Sequence, residues 1–378
     1  MLKILKRKNL SKSKIIHIIN SLDTGGAENV LFNLIEDNKN KKPIIICLIK
    51  KGFYGKILEK KGYRIFNLNL RKDIFIFSKL FKLIFLLIKF KPKTVHTWMY
   101  HSNLLGGIFA KILGTKNIFW SIHHDYEYSN LFMMAEIKLL SILSYFIPNK
   151  IIYCSKSSRV NHLANGFKKN NTILIENGVC ISKFKYQKKL RKIFRDEFKI
   201  KKNYLVIGNI SRYHPIKDHN TLLNALFKLK QYNVKFKAFL VGKGLVEENF
   251  ELTNIINKYN LQDNIILYGP CNEVHKIINA FDLTILSSKS ECFPITLIES
   301  MSCGVPCIST NVGDAKKIIG NSGWTIEKEN YLALAYCINN IYKQKYLLKE
   351  KSKLAERRVK RFFNIKQTNN KYKKLYPK

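Results

Sequence analysis

Short, continuously apolar runs alternate with helix-patterned segments along nearly the whole chain, and this alternation restricts the fold more than any single motif. In the first half the runs fall at Ile15–Ile19, Pro43–Ile49, Arg64–Leu68, Thr94–Thr97, Asn117–Ser121, Lys150–Cys154 and Thr172–Ile175. Helical segments separate them: one to about Asp37, then Tyr54–Lys61, Ile74–Phe90, Asn103–Leu113, Leu131–Phe146 and Ser155–Asn165. Strands that are apolar on both faces and joined through helices specify a parallel sheet covered on both sides. The pattern lapses between Asn177 and Lys202 into a basic connection with one polar helix at Gln187–Phe198. It then restarts, with strands expected at Tyr204–Ile210, Lys235–Val241, Asn264–Tyr268, Leu283–Leu286 and Val305–Ser309. Helices are expected at Asn220–Gln231, Glu247–Tyr259, Glu273–Ala280 and Pro294–Cys303. The result is two doubly wound α/β units in tandem, whose ligands bind beyond the carboxyl ends of the strands. The expected domains are 1–182 and 183–360, with 361–378 a terminal helix packing back toward the first domain.

Charge and cysteine content narrow the setting. The chain has 67 basic and 26 acidic residues, a net charge of +41, so its surface should associate with something anionic. The N-terminal MLKILKRKNLSKSK is too interrupted by lysine to hold a signal-peptide core. The most apolar segment, Ile74–Phe90, is broken by Lys79, Lys82 and Lys89, so no spanning helix is expected. The eight cysteines contain no C-x-x-C and read as small buried hydrophobes of a reducing cytoplasm.

Several polar or glycine-bearing elements fall at strand ends. Gly25-Gly26 follows the first strand and permits close backbone approach at a helix start. Trp120-Ser121-Ile122-His123-His124-Asp125 ends the fifth; of its two histidines His124 is preferred for a ligand, and zinc is disfavoured for want of a third ligand. His96 and His101 read as structural or rim residues. In the second unit Arg212 and Lys217 follow the first strand and can offset a diphosphate, although a solvated pair is the ordinary reading in so basic a chain. Gly242 opens a second glycine turn.

The stretch Asp282–Gly313 joins these elements. A strand leads into a polar loop carrying Glu291, and a short helix begins at Phe293-Pro294 and stops at Gly304. That helix start, with its free backbone N–H groups, forms an anion seat. Glu291 and Glu299, with seven residues between them, flank it as acceptors for sugar hydroxyls.

With these residues in view, the chain resembles a retaining glycosyltransferase of family 4, of the type that builds bacterial O-antigen, capsule and lipid-linked oligosaccharide. The likeness runs through SLDTGGAE (21–28), VHTWMYHSNLLGG (95–107), SIHHD (121–125), CSKSSRVNHLANGF (154–167), ENGV (176–179), GNISRYHPIKDHNTLLNA (208–225), SSKSECFPITLIESMSCGVPCISTNVGD (287–314) and SGW (322–324). The resemblance implies a GT-B fold, two Rossmann-like domains facing across a cleft. It implies that Glu291 binds donor-sugar hydroxyls and Glu299 the nucleotide ribose. Arg212 and Lys217 would hold the diphosphate, helped by Pro294, by the backbone N–H groups of Ile295, Thr296 and Leu297, and by Gly242. Gly25 and Gly26 would approach it from the other domain, and His124 would contact the sugar near the reacting carbon. No metal, cofactor or covalent nucleophile is implied. Cys292 and Ser300 stand where relatives usually carry Gly and Ala, so donor choice does not transfer. The implied donor is a nucleotide-sugar, UDP preferred to GDP. The implied acceptor is a glycan on polyprenyl diphosphate or another lipid, met by a cytoplasmic enzyme peripheral to the anionic inner face of the cytoplasmic membrane, with the Ile74–Phe90 helix and Lys72, Lys79, Lys82 and Lys89 either in the interface or packed on the sheet with the lysines toward water. A nucleotide-sugar epimerase or phosphorylase of the same fold is the alternative. A nucleic-acid-binding protein ranks last, since no such motif is visible.

Overall fold

The computed structural model describes residues 15–38, 42–70, 76–125 and 131–376. The N-terminal MLKILKRKNLSKSK, Lys72 and the start of the Ile74–Phe90 segment lie outside the described residues. The chain divides into two compact units, Met1–Ile175 with Asn369–Lys378, and Glu176–Thr368. Each is a parallel sheet with helical crossovers, the Rossmann-like plan.

In the first unit the strands are β1 (Ile15–Ser21), β2 (Ile44–Lys50), β3 (Arg64–Asn67), β4 (Thr94–Trp98), β5 (Asn117–Ile122), β6 (Lys150–Tyr153) and β7 (Thr172–Leu174). They pair in the order β3-β2-β1-β4-β5-β6-β7. The crossovers are α1 (Gly26–Glu36), α2 (Gly52–Lys60), α3 (Ile76–Phe90), α4 (Tyr100–Ile112), α5 (Leu131–Leu143) and α6 (Lys156–Ala164). Right-handed crossovers put α1 and α2 on one face and α3 to α6 on the other. Leu83, Leu86 and Leu87 of α3 and Ile137 and Leu140 of α5 pack there against Ile16, Ile18, Val95, Trp120 and Ile122 of the strands.

The opposite face of this sheet carries an aromatic and imidazole row. His17 and His96 face each other across β1 and β4. Tyr376 Oη lies 2.6 Å from His96 Nδ1, and Ser121 Oγ lies 2.8 Å from Nε2. Burial keeps both imidazoles neutral, lowering His17 to about 3 and His96 well below its ordinary value. The terminal helix supplies Tyr372, and the residue just past its end Tyr376, over this row, and Lys373 Nζ lies 2.6 Å from Asp37 Oδ2 at the end of α1.

The second unit begins with α7 (Lys188–Glu197) and continues with β8 (Leu205–Ile210), α8 (His219–Gln231), β9 (Phe236–Val241), α9 (Phe250–Lys258), β10 (Ile265–Gly269) and α10 (Val274–Ile277). After these come β11 (Leu283–Leu286), α11 (Ile295–Ser302), β12 (Cys307–Thr310), α12 (Ala315–Ile319), β13 (Trp324–Ile326), α13 (Tyr331–Lys343), α14 (Tyr346–Phe362) and α15 (Ile365–Leu375), whose residues from Asn369 belong to the first unit. The strand order is β10-β9-β8-β11-β12-β13. The sequence pattern did not anticipate β13, α12 or α13. It also opened β12 two residues early, at Val305. Pro306 has no N–H to donate to the ladder. It contributes only its carbonyl, which accepts from Thr284 N at 3.0 Å. Arg191 and Arg195 of α7 clasp Asp282 at the start of β11; Arg195 Nη2 lies 2.7 Å from Oδ1, and Val206 N donates to Oδ2 at 2.8 Å.

Candidate active site

Strand order fixes where a site can form. In the second sheet the sequence runs outward in both directions from the β8–β11 pair, so the loops after these two strands diverge over a crevice. The loop after β8 carries Arg212 and Lys217, and the loop after β11 carries Glu291. Lys217 closes a 3-10 turn, Pro215–Lys217, and Asp218 follows in the left-handed region (φ 50°). Asp218 caps α8, its Oδ1 accepting from Thr221 N at 3.2 Å and its Oδ2 from Thr221 Oγ1 at 2.7 Å. This tight reversal aims Lys217 across the crevice, where its Nζ donates to Glu291 Oε1 at 2.5 Å. Ser288 Oγ donates to the same oxygen at 2.7 Å.

Backbone bonds hold the two loops together. Lys289 N donates to Ile216 O at 2.7 Å, and Ser287 Oγ to Lys217 O at 3.0 Å. The loops after β9 and β12 close in from the sides. Gly242 (φ 150°) sits so near Ser211 O that any Cβ would overlap it, and Ser211 N donates to Val241 O at 3.0 Å. Gly313 (φ 53°) lies under the carbonyls of Glu291 and Cys292, and Asp314 N donates to Cys292 O at 3.1 Å. Both glycines are required by close backbone approach and by positive φ. Arg212 is exposed on the same loop as Lys217.

Pro294 does not open α11 as its first residue. It is the N-cap, in extended conformation (φ −71°, ψ 99°), with Ile295 first in the helix. Leu297 N is committed to Pro294 O at 3.2 Å, so it is not a free donor. Ile295 and Thr296 begin the helix and have no carbonyl of their own helix to reach, so two N–H groups at this helix start, rather than three, lack a helical partner. Glu299 lies one turn on, only 9% exposed. Burial pushes its carboxyl up to about 8, against the opposing pull of the Lys183 ammonium. At neutral pH it is therefore mostly a neutral acid, where the sequence alone suggests a carboxylate.

The remaining candidates lie in the first unit, whose own order reverses between β1 and β4. Gly25 caps α1 in extended conformation, and the Glu28 carboxyl folds back into the space where a Cβ would stand. His124 is exposed after β5, its ring 5.9 Å from that of Tyr100, and its carbonyl accepts from Ser158 Oγ at 2.7 Å. His123 is set differently. Its ring stacks on Trp98 with centroids 5.4 Å apart, and both ring nitrogens are enclosed without a partner among the described residues. Burial, then the neighbouring His124, lowers it to about 3, so it is a neutral imidazole. Met99, at the end of β4, holds φ 75° and ψ 164°, a strained conformation for a residue with a side chain and one that nothing in the sequence signals. Among the described residues, no group of three or more His, Cys, Asp or Glu is arranged to hold a metal ion.

Known families match both units. Residues 24–183 match the model Glycosyltransferase Family 4, and residues 191–361 match Glycosyl transferases group 1. The chain is a glycosyltransferase of the group 1 and family 4-like type. The putative glycosyltransferase EpsF of Bacillus subtilis is 20% identical over 79% of this chain and 79% of its own length. An Escherichia coli UDP-Gal:alpha-D-GlcNAc-diphosphoundecaprenol alpha-1,3-galactosyltransferase is 25% identical over 82% of this chain and 81% of its own. Among solved structures, HepE of Anabaena in complex with UDP and glucose superposes with a TM-score of 0.85 at 19% identity, covering 96% of this chain and 98% of that one. The glycosyltransferase thus has the GT-B-type pair of Rossmann-like domains, and one relative, AmsD of Erwinia amylovora, is named for amylovoran biosynthesis.

Proposed function

We propose that this glycosyltransferase moves a hexosyl or N-acetylhexosaminyl group, with retention, from a UDP-sugar to a lipid-linked glycan at the cytoplasmic face of the membrane. One observation carries the reading. Lys217 and Glu291, from loops on either side of the strand-order reversal, meet at 2.5 Å where a nucleotide-sugar would lie. Support for the ligand classes comes from the E. coli relative, whose name specifies UDP-galactose and a diphosphoundecaprenol-linked acceptor, and from HepE, which holds UDP and glucose.

In this reading the donor enters the pair. Its diphosphate takes Lys217, with Arg212 and the N–H groups of Ile295 and Thr296 offsetting the remaining charge. Glu291 is released to accept from the sugar hydroxyls, still steadied by Ser288. Glu299 meets the ribose, and Gly242 keeps the β9 loop close to the phosphates. The first unit contributes Gly25, Gly26 and His124 on the acceptor side. As the glycosidic bond to phosphate breaks, the leaving diphosphate oxygen accepts the proton of the attacking hydroxyl, and the Lys217 ammonium stabilises the charge that develops. The family resemblance implies no metal or covalent nucleophile for this step.

The test is acceptor-dependent release of UDP by the parent and by Lys217→Ala and Glu291→Gln, with folding followed by circular dichroism. Both variants should fold and lose transfer. Unchanged turnover in either removes the site assignment, and UDP release without acceptor points instead to the epimerase class.

A further inference from the structure

The outer side of the α3–α4–α5 layer is the least explained surface of the molecule. α3 buries Leu83, Leu86, Leu87 and Phe90 in the core, yet Phe77, Phe81 and Phe85 stand exposed along its other side. Their spacing of four residues places them on one stripe. Nearby, Phe132, Ile142 and Phe146 are exposed on and just after α5, Phe132 to 90%. α4 touches both helices, so the two apolar stripes belong to one face. A helix layer that is apolar on its core side and again on its outer side is not finished by the fold itself, and a contiguous exposed patch of this kind marks an interaction surface.

Charge identifies the occupant. From Ile76 to Leu143, the end of α5, the sequence holds eight lysines (79, 82, 89, 91, 93, 111, 116 and 138) against three acidic residues, Asp125, Glu127 and Glu136, and Glu136 lies 3.4 Å from His101. Lys82 and Lys89 are exposed among the phenylalanines of α3, and Lys89 Nζ lies 5.7 Å from the Phe85 ring centroid. A second copy of the chain would bring lysines against lysines. A basic protein partner is disfavoured for the same reason. A bilayer surface with anionic headgroups satisfies both features, since aromatic side chains enter the headgroup–acyl boundary while lysines meet phosphate. Among the described residues no helix is long and apolar enough to cross a membrane, so the layer lies flat.

We propose that the exposed face of α3, α4 and α5 docks this chain on an anionic phospholipid surface. The proposal rests on the reading of a lipid-linked acceptor, and it gives that reading a geometry. Crossover helices run antiparallel to their strands, so Phe77 and Phe132, at the starts of α3 and α5, lie toward the carboxyl edge of the first sheet. Gly25, His123 and His124 lie on that edge. A face docked there holds the edge beside the headgroups through which a lipid-carried acceptor must rise.

The full chain is sedimented with vesicles of phosphatidylcholine alone and of phosphatidylcholine mixed with phosphatidylglycerol. The parent should bind the mixed vesicles preferentially and be weakened by salt. Phe81→Ser/Phe85→Ser/Phe132→Ser should lower partitioning by about tenfold or more. Lys82→Glu/Lys89→Glu should lower it by a comparable factor and flatten the salt dependence. All substituted residues are exposed, and an unchanged thermal shift on adding UDP reports an intact donor unit. Equal binding of parent and triple-serine variant, or no preference for anionic vesicles, overturns the proposal. So does a dimer in solution that the serine variant dissolves. If UDP gives the parent no thermal shift, the nucleotide-sugar reading fails while the vesicle result stands or falls separately.

Discussion

Glu299 provides the sharpest test of the site, because its ionisation links folding, pH and donor binding. Its carboxyl, one turn into α11, is raised by burial from 4.5 to about 8. The native state therefore holds a proton that the unfolded chain has released throughout that interval. The stabilising proton is fully bound in both states below about pH 4.5, and its contribution is lost as pH rises through about 8. At about 1.4 kcal/mol per pH unit, the interval sets a ceiling of about 5 kcal/mol on the stability lost through this one group. Glu299→Gln replaces the neutral acid by a neutral amide of the same shape and removes the slope. Urea unfolding at about pH 5 and about pH 8.5 should show the parent losing several kcal/mol relative to the variant. Donor binding adds a second readout. Ribose hydroxyls donating to this group favour its ionised form, so UDP binding near neutral pH should release up to about one proton. Calorimetry in buffers of different ionisation heat measures that release, and the glutamine variant should show none from this position. A parent no more pH-dependent than Glu299→Gln, or UDP binding without proton release, would refute the reasoning.

Three other expectations follow from contacts described above. Gly313→Ala should cost about 1–2 kcal/mol from its positive φ, and because the new Cβ pushes on the Glu291 carbonyl, turnover should fall further than the melting temperature suggests. Asp282→Asn leaves Arg191 and Arg195 without their carboxylate at a site less than a third exposed, so denaturant unfolding should show a loss of about 3 kcal/mol with little change in the affinity for UDP. His123→Phe keeps an aromatic ring over Trp98 and removes two unpartnered nitrogens, so stability should stay within about 1 kcal/mol, while transfer should fall by less than in His124→Ala; a larger fall in the phenylalanine variant would make His123 the histidine that matters.

The parallel sheets were legible because their strands are buried on both faces and read as unbroken apolar runs such as Ile44–Cys47 and Phe239–Val241. β13 fails that criterion. It is a three-residue edge strand, Trp-Thr-Ile, partly exposed along its length, and its pairing comes from β12 rather than from its own pattern. The candidate residues were legible as strand-end polar groups, but their relations were not. Lys217 and Glu291 are 74 residues apart, and only the reversal of strand order between β8 and β11 brings them together. His123 and His124 are chemically identical in the sequence. Their difference follows from where β5 ends: His123 continues the alternation of Phe119 and Ser121 onto the face holding His96 and Trp98, while His124 leaves the sheet. The protonation of Glu299 depends on burial by elements distant in the chain, which no local pattern records.

The Lys217–Glu291 pair is a definite electrostatic arrangement between the loops after β8 and β11. Each side chain is mostly buried, with 20% and 13% of its surface exposed, so neither charge is left to water. Holding the lysine on Glu291 fixes a flexible side chain in advance, and ordering a free lysine would otherwise cost about 1.5–2 kcal/mol when donor binds. A diphosphate can take the ammonium only if something else satisfies Glu291, because an uncompensated buried carboxylate is costly. Sugar hydroxyls supply those donors. A nucleotide diphosphate without its sugar offers the lysine a partner but leaves Glu291 with Ser288 alone. On the proposed reading the pair would couple recognition of the two halves of the donor, favouring the intact nucleotide-sugar over its product and easing release of the product once the sugar has left.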